Sequence, residues 1–142
     1  MRMVQLRQKK ISSMSSFSNR IVNWYKSNGR HDLPWRKDIS PYSIWISEIM
    51  LQQTQVKTVV PYFNKFIKKY PNLDALLKAS EDEILAQWSG LGFYRRAKNI
   101  YKACRVISED FNNKLPININ DLESLPGIGR STAGAIMSIA FN

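Results

Sequence analysis

Apolar residues recur every third or fourth position along most of this chain, and nowhere do they alternate singly with polar ones over the length of a strand. Residues three and four apart share one face of a helix, whereas a half-buried strand needs a period of two. No internal repeat interrupts the pattern. The expected fold class is therefore all-α. With 142 residues, 44% of them hydrophobic, the chain is long enough for one domain with a real core. Residues 17–142 are read as that domain. Residues 1–16 carry Arg2, Arg7, Lys9 and Lys10 without an apolar segment, and are read as a disordered basic tail and not as a secretory signal.

The most apolar helical run is Pro41-Tyr42-Ser43-Ile44-Trp45-Ile46-Ser47-Glu48-Ile49-Met50-Leu51-Gln52-Gln53-Thr54. Ile44, Glu48 and Leu51 fall on one face of it, with Trp45 and Ile49 flanking, so Glu48 is expected among apolar neighbours. Burial disfavours a charged carboxyl, and this is how an enzyme keeps a proton donor at neutral pH. A carboxyl that caps another helix or pairs with an arginine would satisfy the same pattern. This run leaves both readings open.

The other helices follow from spacing and punctuation. Phe17, Ile21, Val22, Trp24 and Tyr25 mark a first amphipathic helix that stops at Asn28-Gly29. Residues 30–38, with His31, Pro34, Trp35 and alternating charge, read as an ordered loop that is either a wall of a nucleic-acid pocket or plain packing. Val56, Val59, Val60, Phe63, Phe66, Ile67 and Tyr70 form an apolar stripe opposite Lys65, Lys68 and Lys69, with Pro61 taken as a sign of a helix start or kink nearby. Leu73, Leu76 and Leu77 make a short helix, and Ser80-Glu81-Asp82-Glu83 reads as a capping box. Gly90-Leu91-Gly92-Phe93-Tyr94-Arg95-Arg96 is a tight turn that opens a basic helix. It either presents aromatics and arginines together to a ligand or is a plain helix connection with a solvated cationic face, the more common outcome for such a sequence.

A capped start at Asn120-Asp121-Leu122-Glu123 leads into Leu125-Pro126-Gly127-Ile128-Gly129-Arg130-Ser131-Thr132-Ala133-Gly134, so that a helix, a glycine hairpin and a second helix follow one another over about residues 120–140. Two glycines let the backbone approach a ligand, and the N–H groups that open the second helix carry the positive end of its dipole. A DNA phosphate fits such a nest. Charge points the same way: 21 Lys and Arg stand against 11 Asp and Glu, a net of +10, which asks for an anionic partner. Nucleic acid is favoured over a membrane, because no segment joins a basic face to an exposed apolar one. The one cysteine, Cys104, lies in a helical pattern and reads as a small buried residue, and no metal site is expected from it and His31.

On Leu33-Pro34-Trp35-Arg36, the Trp45 to Thr54 run, Gly90-Leu91-Gly92 and the Leu125 to Gly134 hairpin, standing in this order, the chain resembles the helix-hairpin-helix DNA glycosylases, in particular their adenine-excising branch. The resemblance implies base-excision repair: hydrolysis of the N-glycosidic bond of an adenine mispaired with 8-oxoguanine or guanine, after the nucleotide is flipped out of double-stranded DNA. It implies Glu48 as the acid that protonates adenine N7. It places Trp35, Arg36, Leu51 and Val56 at the adenine pocket, Gln53 and Thr54 at the base opposite, and Leu91, Phe93, Gly127, Gly129 and Arg130 on DNA. Phe93 stands where the family commonly has tyrosine, which keeps a stacking face and drops a hydroxyl.

Ser131 stands where related glycosylase/lyases have a lysine nucleophile. Serine forms no Schiff base, so Ser131 is expected to hydrogen-bond near Glu48 in an enzyme that does not cleave the strand. The family's catalytic aspartate, its [4Fe-4S] cysteines and its C-terminal domain have no counterpart in these residues. The chain is accordingly expected to be the N-terminal part of such an enzyme, monomeric, inactive by itself, without a bound cofactor, and located in the bacterial cytoplasm or another reducing compartment. Two alternatives stay open: a glycosylase/lyase for oxidised pyrimidines similar to endonuclease III, and a non-catalytic helix-hairpin-helix DNA-binding module.

Overall fold

The computed structural model describes residues 34–37 and 39–140. The basic tail over residues 1–16, the helix expected from Phe17 to Tyr25, and His31 lie outside the described residues. Among those described, regular structure is entirely helical: α1 (Pro34–Lys37), α2 (Pro41–Leu51), α3 (Val56–Lys69), α4 (Leu73–Leu77), α5 (Glu81–Gln87), α6 (Arg95–Asp110), α7 (Ile119–Glu123) and α8 (Arg130–Ala140). No helix among the described residues is long and apolar enough to cross a membrane.

Helix α2 is the centre of the fold. Every residue from Tyr42 to Leu51 is buried, so it has no solvent face at all. Its start is set by a reciprocal cap: the Ser40 hydroxyl accepts from the Ser43 N–H at 3.1 Å, and the Ser43 hydroxyl accepts from the Ser40 N–H at 3.1 Å. Pro41 occupies the first turn, where its missing N–H costs nothing. Helices α8 and α3 both pack on α2, while α5 and α4 pack on α6, and α7 on α8.

The amphipathic α3 buries Val59, Phe63 and Phe66 and exposes Lys57, Lys65, Lys68 and Lys69, which matches its sequence pattern. Aromatic rings then knit the layers edge to face. Trp35 meets Phe63 at 5.4 Å between centroids, and Phe66 meets Tyr70 at 5.1 Å and Trp88 at 6.1 Å. Tyr42 donates from its hydroxyl to the Tyr70 carbonyl at 2.6 Å, tying α2 to the end of α3. Burial pushes the Tyr42 hydroxyl well above its ordinary range.

Three expectations are corrected. Residues 34–37 form a helical turn and not a loop, because Trp35 turns into the core against Phe63. Pro61 lies inside α3, whose start is upstream at Val56; on the exposed face it removes only the N–H that would bond Lys57. Helix α7 opens at Asn118 and not at Asn120, since the Asn118 side chain accepts from the Asp121 N–H at 2.9 Å and donates to the Asp121 carboxylate at 2.7 Å. The capping box at Ser80 and Glu83 forms as read, and its hydrogen bonds hold the Glu83 carboxyl below the usual range.

Cys104 is buried on α6, and burial pushes its thiol from 9.0 up to about 12. The unfolded chain releases this proton near pH 9 while the folded chain keeps it. Stability is therefore whole below pH 9 and declines as pH climbs toward 12, by up to about 1.4 kcal/mol per pH unit from this group. Urea unfolding of Cys104→Ala between pH 8.5 and 11 is expected to show a shallower decline than the parent; equal slopes would contradict the assignment.

Candidate functional site

Three loops are linked by contacts between their neighbouring segments. The first is the 52–55 turn that ends α2, the second the 90–94 turn before α6, and the third the 125–129 hairpin between α7 and α8. Each is locked to another by a contact of known partners. The Gln52 side-chain amide lies 3.3 Å from the Thr132 hydroxyl, which joins the first loop to the start of α8. The Arg96 guanidinium donates to the carbonyls of Gln52 at 2.6 Å and Gly92 at 3.1 Å, which joins the first loop to the second. A Cβ placed on Gly127 would stand 2.9 Å from the Asn99 Cβ, so the hairpin rests on the first turns of α6.

The backbone in these loops is held in the left-handed region. Gln53 has φ 58°, Phe93 φ 52°, Gly92 φ 83° and Gly127 φ 82°. For the two non-glycine residues this costs about 1–3 kcal/mol each, and such strain persists where surrounding contacts dictate it, as functional sites often do. Both side chains point out: Gln53 is exposed and Phe93 is 58% exposed, among the most exposed large hydrophobic residues described. Thr54 is half-buried behind them, its hydroxyl 3.3 Å from the Gln52 carbonyl, and Val56 is half-buried at the start of α3.

In the hairpin, Leu125 and Ile128 are buried anchors and Gly127 and Gly129 are turned outward. The Ile128 N–H bonds the Leu125 carbonyl at 3.1 Å, and the Ala133 N–H bonds the Gly129 carbonyl at 2.9 Å. The two glycines have different reasons. Gly127 is required by its φ and by Asn99, whereas nothing lies within 4 Å of a Cβ on Gly129, which is open to a ligand. Gly127→Ala is expected to destabilise the fold by about 1–3 kcal/mol, and Gly129→Ala by no more than about 0.5 kcal/mol. Denaturant midpoints of the two variants measure the difference, and equal midpoints would remove the distinction.

Glu48 lies beneath this rim. It is 2% exposed and one helical turn before Gln52, so it shares the face of α2 that reaches toward Thr132. Ser131 is exposed on the first turn of α8, next to the Thr132 that meets Gln52. Arg130 is exposed, and its Nε stands 3.9 Å from a Glu123 carboxylate oxygen across the hairpin. Other expected site residues are largely buried: Trp35, Leu51 and Leu91 pack in the core, and each leaves only a small part of its surface exposed. Arg36 sits in α1.

Sequence reading missed Thr132 and Arg96. A solvated face is the commoner outcome for the cations that open α6, yet Arg96 is 7% exposed. A signal was present, since Arg96, Ile100, Ala103 and Ile107 fall on one helical stripe and all are buried.

The [4Fe-4S] cluster that the resemblance implies does not fit these residues. Such a cluster takes four cysteine thiolates, and the sequence holds one cysteine, buried with its thiol protonated. Among the described residues no three His, Cys, Asp or Glu side chains gather as a metal site requires.

Residues 46–136 match the family described as HhH-GPD superfamily base excision DNA repair protein. The chain is 56% identical over 126 residues to the adenine DNA glycosylase of Buchnera aphidicola subsp. Schizaphis graminum, covering 89% of this chain and 36% of that protein. It is 39% identical over 140 residues to the adenine DNA glycosylase of Homo sapiens, covering 92% and 26%. The chain thus spans about a third or less of the length of these curated relatives. The solved structure of a thermostable thymine-DNA glycosylase is similar with a TM-score of 0.70 at 30% identity, covering 99% of this chain and 62% of that one. A non-covalent endonuclease III–DNA complex is similar in fold, with a TM-score of 0.68 at 22% identity over 96% and 59% of the two chains.

Proposed function

The chain belongs to the HhH-GPD superfamily of base excision DNA repair proteins, and from that premise we propose that it acts in hydrolysing the N-glycosidic bond of an adenine mispaired with 8-oxoguanine or guanine in duplex DNA. The observation that carries the reading is a buried carboxyl, Glu48, one turn below a rim of three loops that present Gln53, Phe93 and the Gly129 backbone. The similarity to proteins named adenine DNA glycosylase supports adenine as the base.

Each part then has a task. The hairpin grips phosphate through backbone N–H groups, which carries no sequence information but fixes the protein on the duplex. Gln53 and Phe93 enter the opened base pair, where the aromatic face of Phe93 stacks beside the orphaned base. Glu48 gives a proton to N7 of the flipped adenine, which turns the base into a neutral leaving group; a carboxyl removed from water suits a donor better than a solvated one. Trp35, Arg36, Leu51 and Val56 belong to the wall around that adenine, and Thr54 stands with Gln53 at the base opposite. Ser131 orients groups near Glu48 and offers no amine, so no covalent adduct to the sugar forms.

The test is single-turnover base release by the full-length protein from duplexes that carry adenine opposite 8-oxoguanine, guanine or thymine. Release from the first two and not the third is expected. Tight binding without release would favour the non-catalytic module, and a borohydride-trapped adduct would favour the glycosylase/lyase. Gly129→Ala is expected to weaken binding to undamaged duplex while leaving the fold intact, because it thickens the backbone where a phosphate approaches.

A further inference from the structure

Arg96 is buried in the first turn of α6, yet its guanidinium is spent on the backbone of other segments. It donates from one terminal nitrogen to the carbonyls of Ile49 at 3.1 Å, Met50 at 2.6 Å and Gln52 at 2.6 Å, all at the C-terminal end of α2. The other terminal nitrogen donates to the Gly92 carbonyl at 3.1 Å, and Nε to the Phe93 carbonyl at 3.4 Å. Its plane is flanked by rings, 5.6 Å from the Trp88 centroid and 5.5 Å from that of Phe93.

The last carbonyls of a helix lack partners within it and carry the negative end of its dipole, so a cation aimed there caps the helix. Here the cap comes from a different helix, and the same planar fork reaches the turn before α6. Gln53 and Phe93, the two exposed non-glycine residues held at positive φ in the loop cluster, each sit beside a carbonyl that Arg96 grips.

We propose that Arg96 is a positioning residue which sets the separation and outward aim of Gln53 and Phe93, and thereby preorganises the pair that reads the opened mispair. This rests on the reading of the rim as a DNA surface. Arg96 touches neither base nor sugar. It acts by keeping two turns rigid at the moment when binding would otherwise have to order them.

The experiment compares Arg96→Met and Arg96→Lys with the parent in the full-length protein. Arg96→Met keeps the apolar stem against Trp88 and removes all donors. Arg96→Lys keeps the charge but not the fork. Amide exchange without DNA reads the clamp itself: Gln52, Thr54 and Leu91, whose N–H groups close these turns, are expected to exchange about tenfold faster or more in Arg96→Met, with Ile128 and Ala133 unaltered. Single-turnover release of adenine opposite 8-oxoguanine is expected to fall about 100-fold, a cost typical of small misplacement. Affinity for undamaged duplex stays within about twofold, since phosphate contacts are intact. Arg96→Lys recovers part of both losses. The proposal is overturned if exchange in the two turns is unchanged, or if it quickens equally in the hairpin. It also fails if excision and affinity decline together. Should the parent release no adenine from any mispair, the glycosylase reading fails alone, and amide exchange still decides the role of Arg96.

Discussion

Glu48→Gln is expected to reduce release of adenine opposite 8-oxoguanine by about 10²–10⁴-fold, the share that a positioned general acid supplies. Glutamine has nearly the same volume as glutamate and keeps a carbonyl and two N–H groups, so the packed interior of α2, where Glu48 is 2% exposed, is filled as before. What glutamine lacks is an acidic proton. Affinity for duplex DNA is expected to survive, because the hairpin and the rim residues Gln53 and Phe93 are untouched. A variant that binds as the parent does and releases adenine at the parental rate would remove Glu48 from the chemistry. One that loses binding and release together would make it a structural group.

Phe66→Ala carries the largest effect expected on stability. Phe66 is fully buried on α3, with its ring edge-on to both Tyr70 and Trp88, so it joins α3 to the end of α5. Truncating such a ring removes apolar burial and leaves a cavity between helices that cannot close around it, costing about 3–5 kcal/mol. Total stability in a domain of this size is roughly 5–15 kcal/mol. The melting temperature should fall on the order of 10–20 °C. Lys68→Ala, two positions along on the exposed face, is expected to shift stability by no more than about 0.5 kcal/mol. If the two variants melted alike, α3 would not be packed as described.

Much of this architecture was legible because it is local. The Ser80 and Glu83 box, the α3 stripe and the Glu48 run are patterns within one or two turns, and each forms where the spacing puts it. The misreadings share a different origin. Two asparagines, 118 and 120, are each able to cap α7, and what selects the first is its second hydrogen bond to Asp121. Trp35 sits among charges that suggest a loop, but its ring finds Phe63 twenty-eight positions away and a helical turn forms around it. Arg96 is the clearest case. Its partners are carbonyls at Ile49, Met50 and Gln52, and a carbonyl has no identity in a sequence. Periodicity could have marked Arg96 as buried, but only the packing of α6 against the end of α2 shows what it holds.

The central claim is that DNA lies on the three-loop rim above Glu48. Amide-exchange footprinting of the full-length protein, with and without a duplex carrying adenine opposite 8-oxoguanine, tests it directly. Protection is expected together in residues 52–54, 91–94 and 127–131, with the lysine face of α3 at Lys65, Lys68 and Lys69 unchanged. Protection confined to that lysine face, with the three loops exchanging as they do in free protein, would contradict the account.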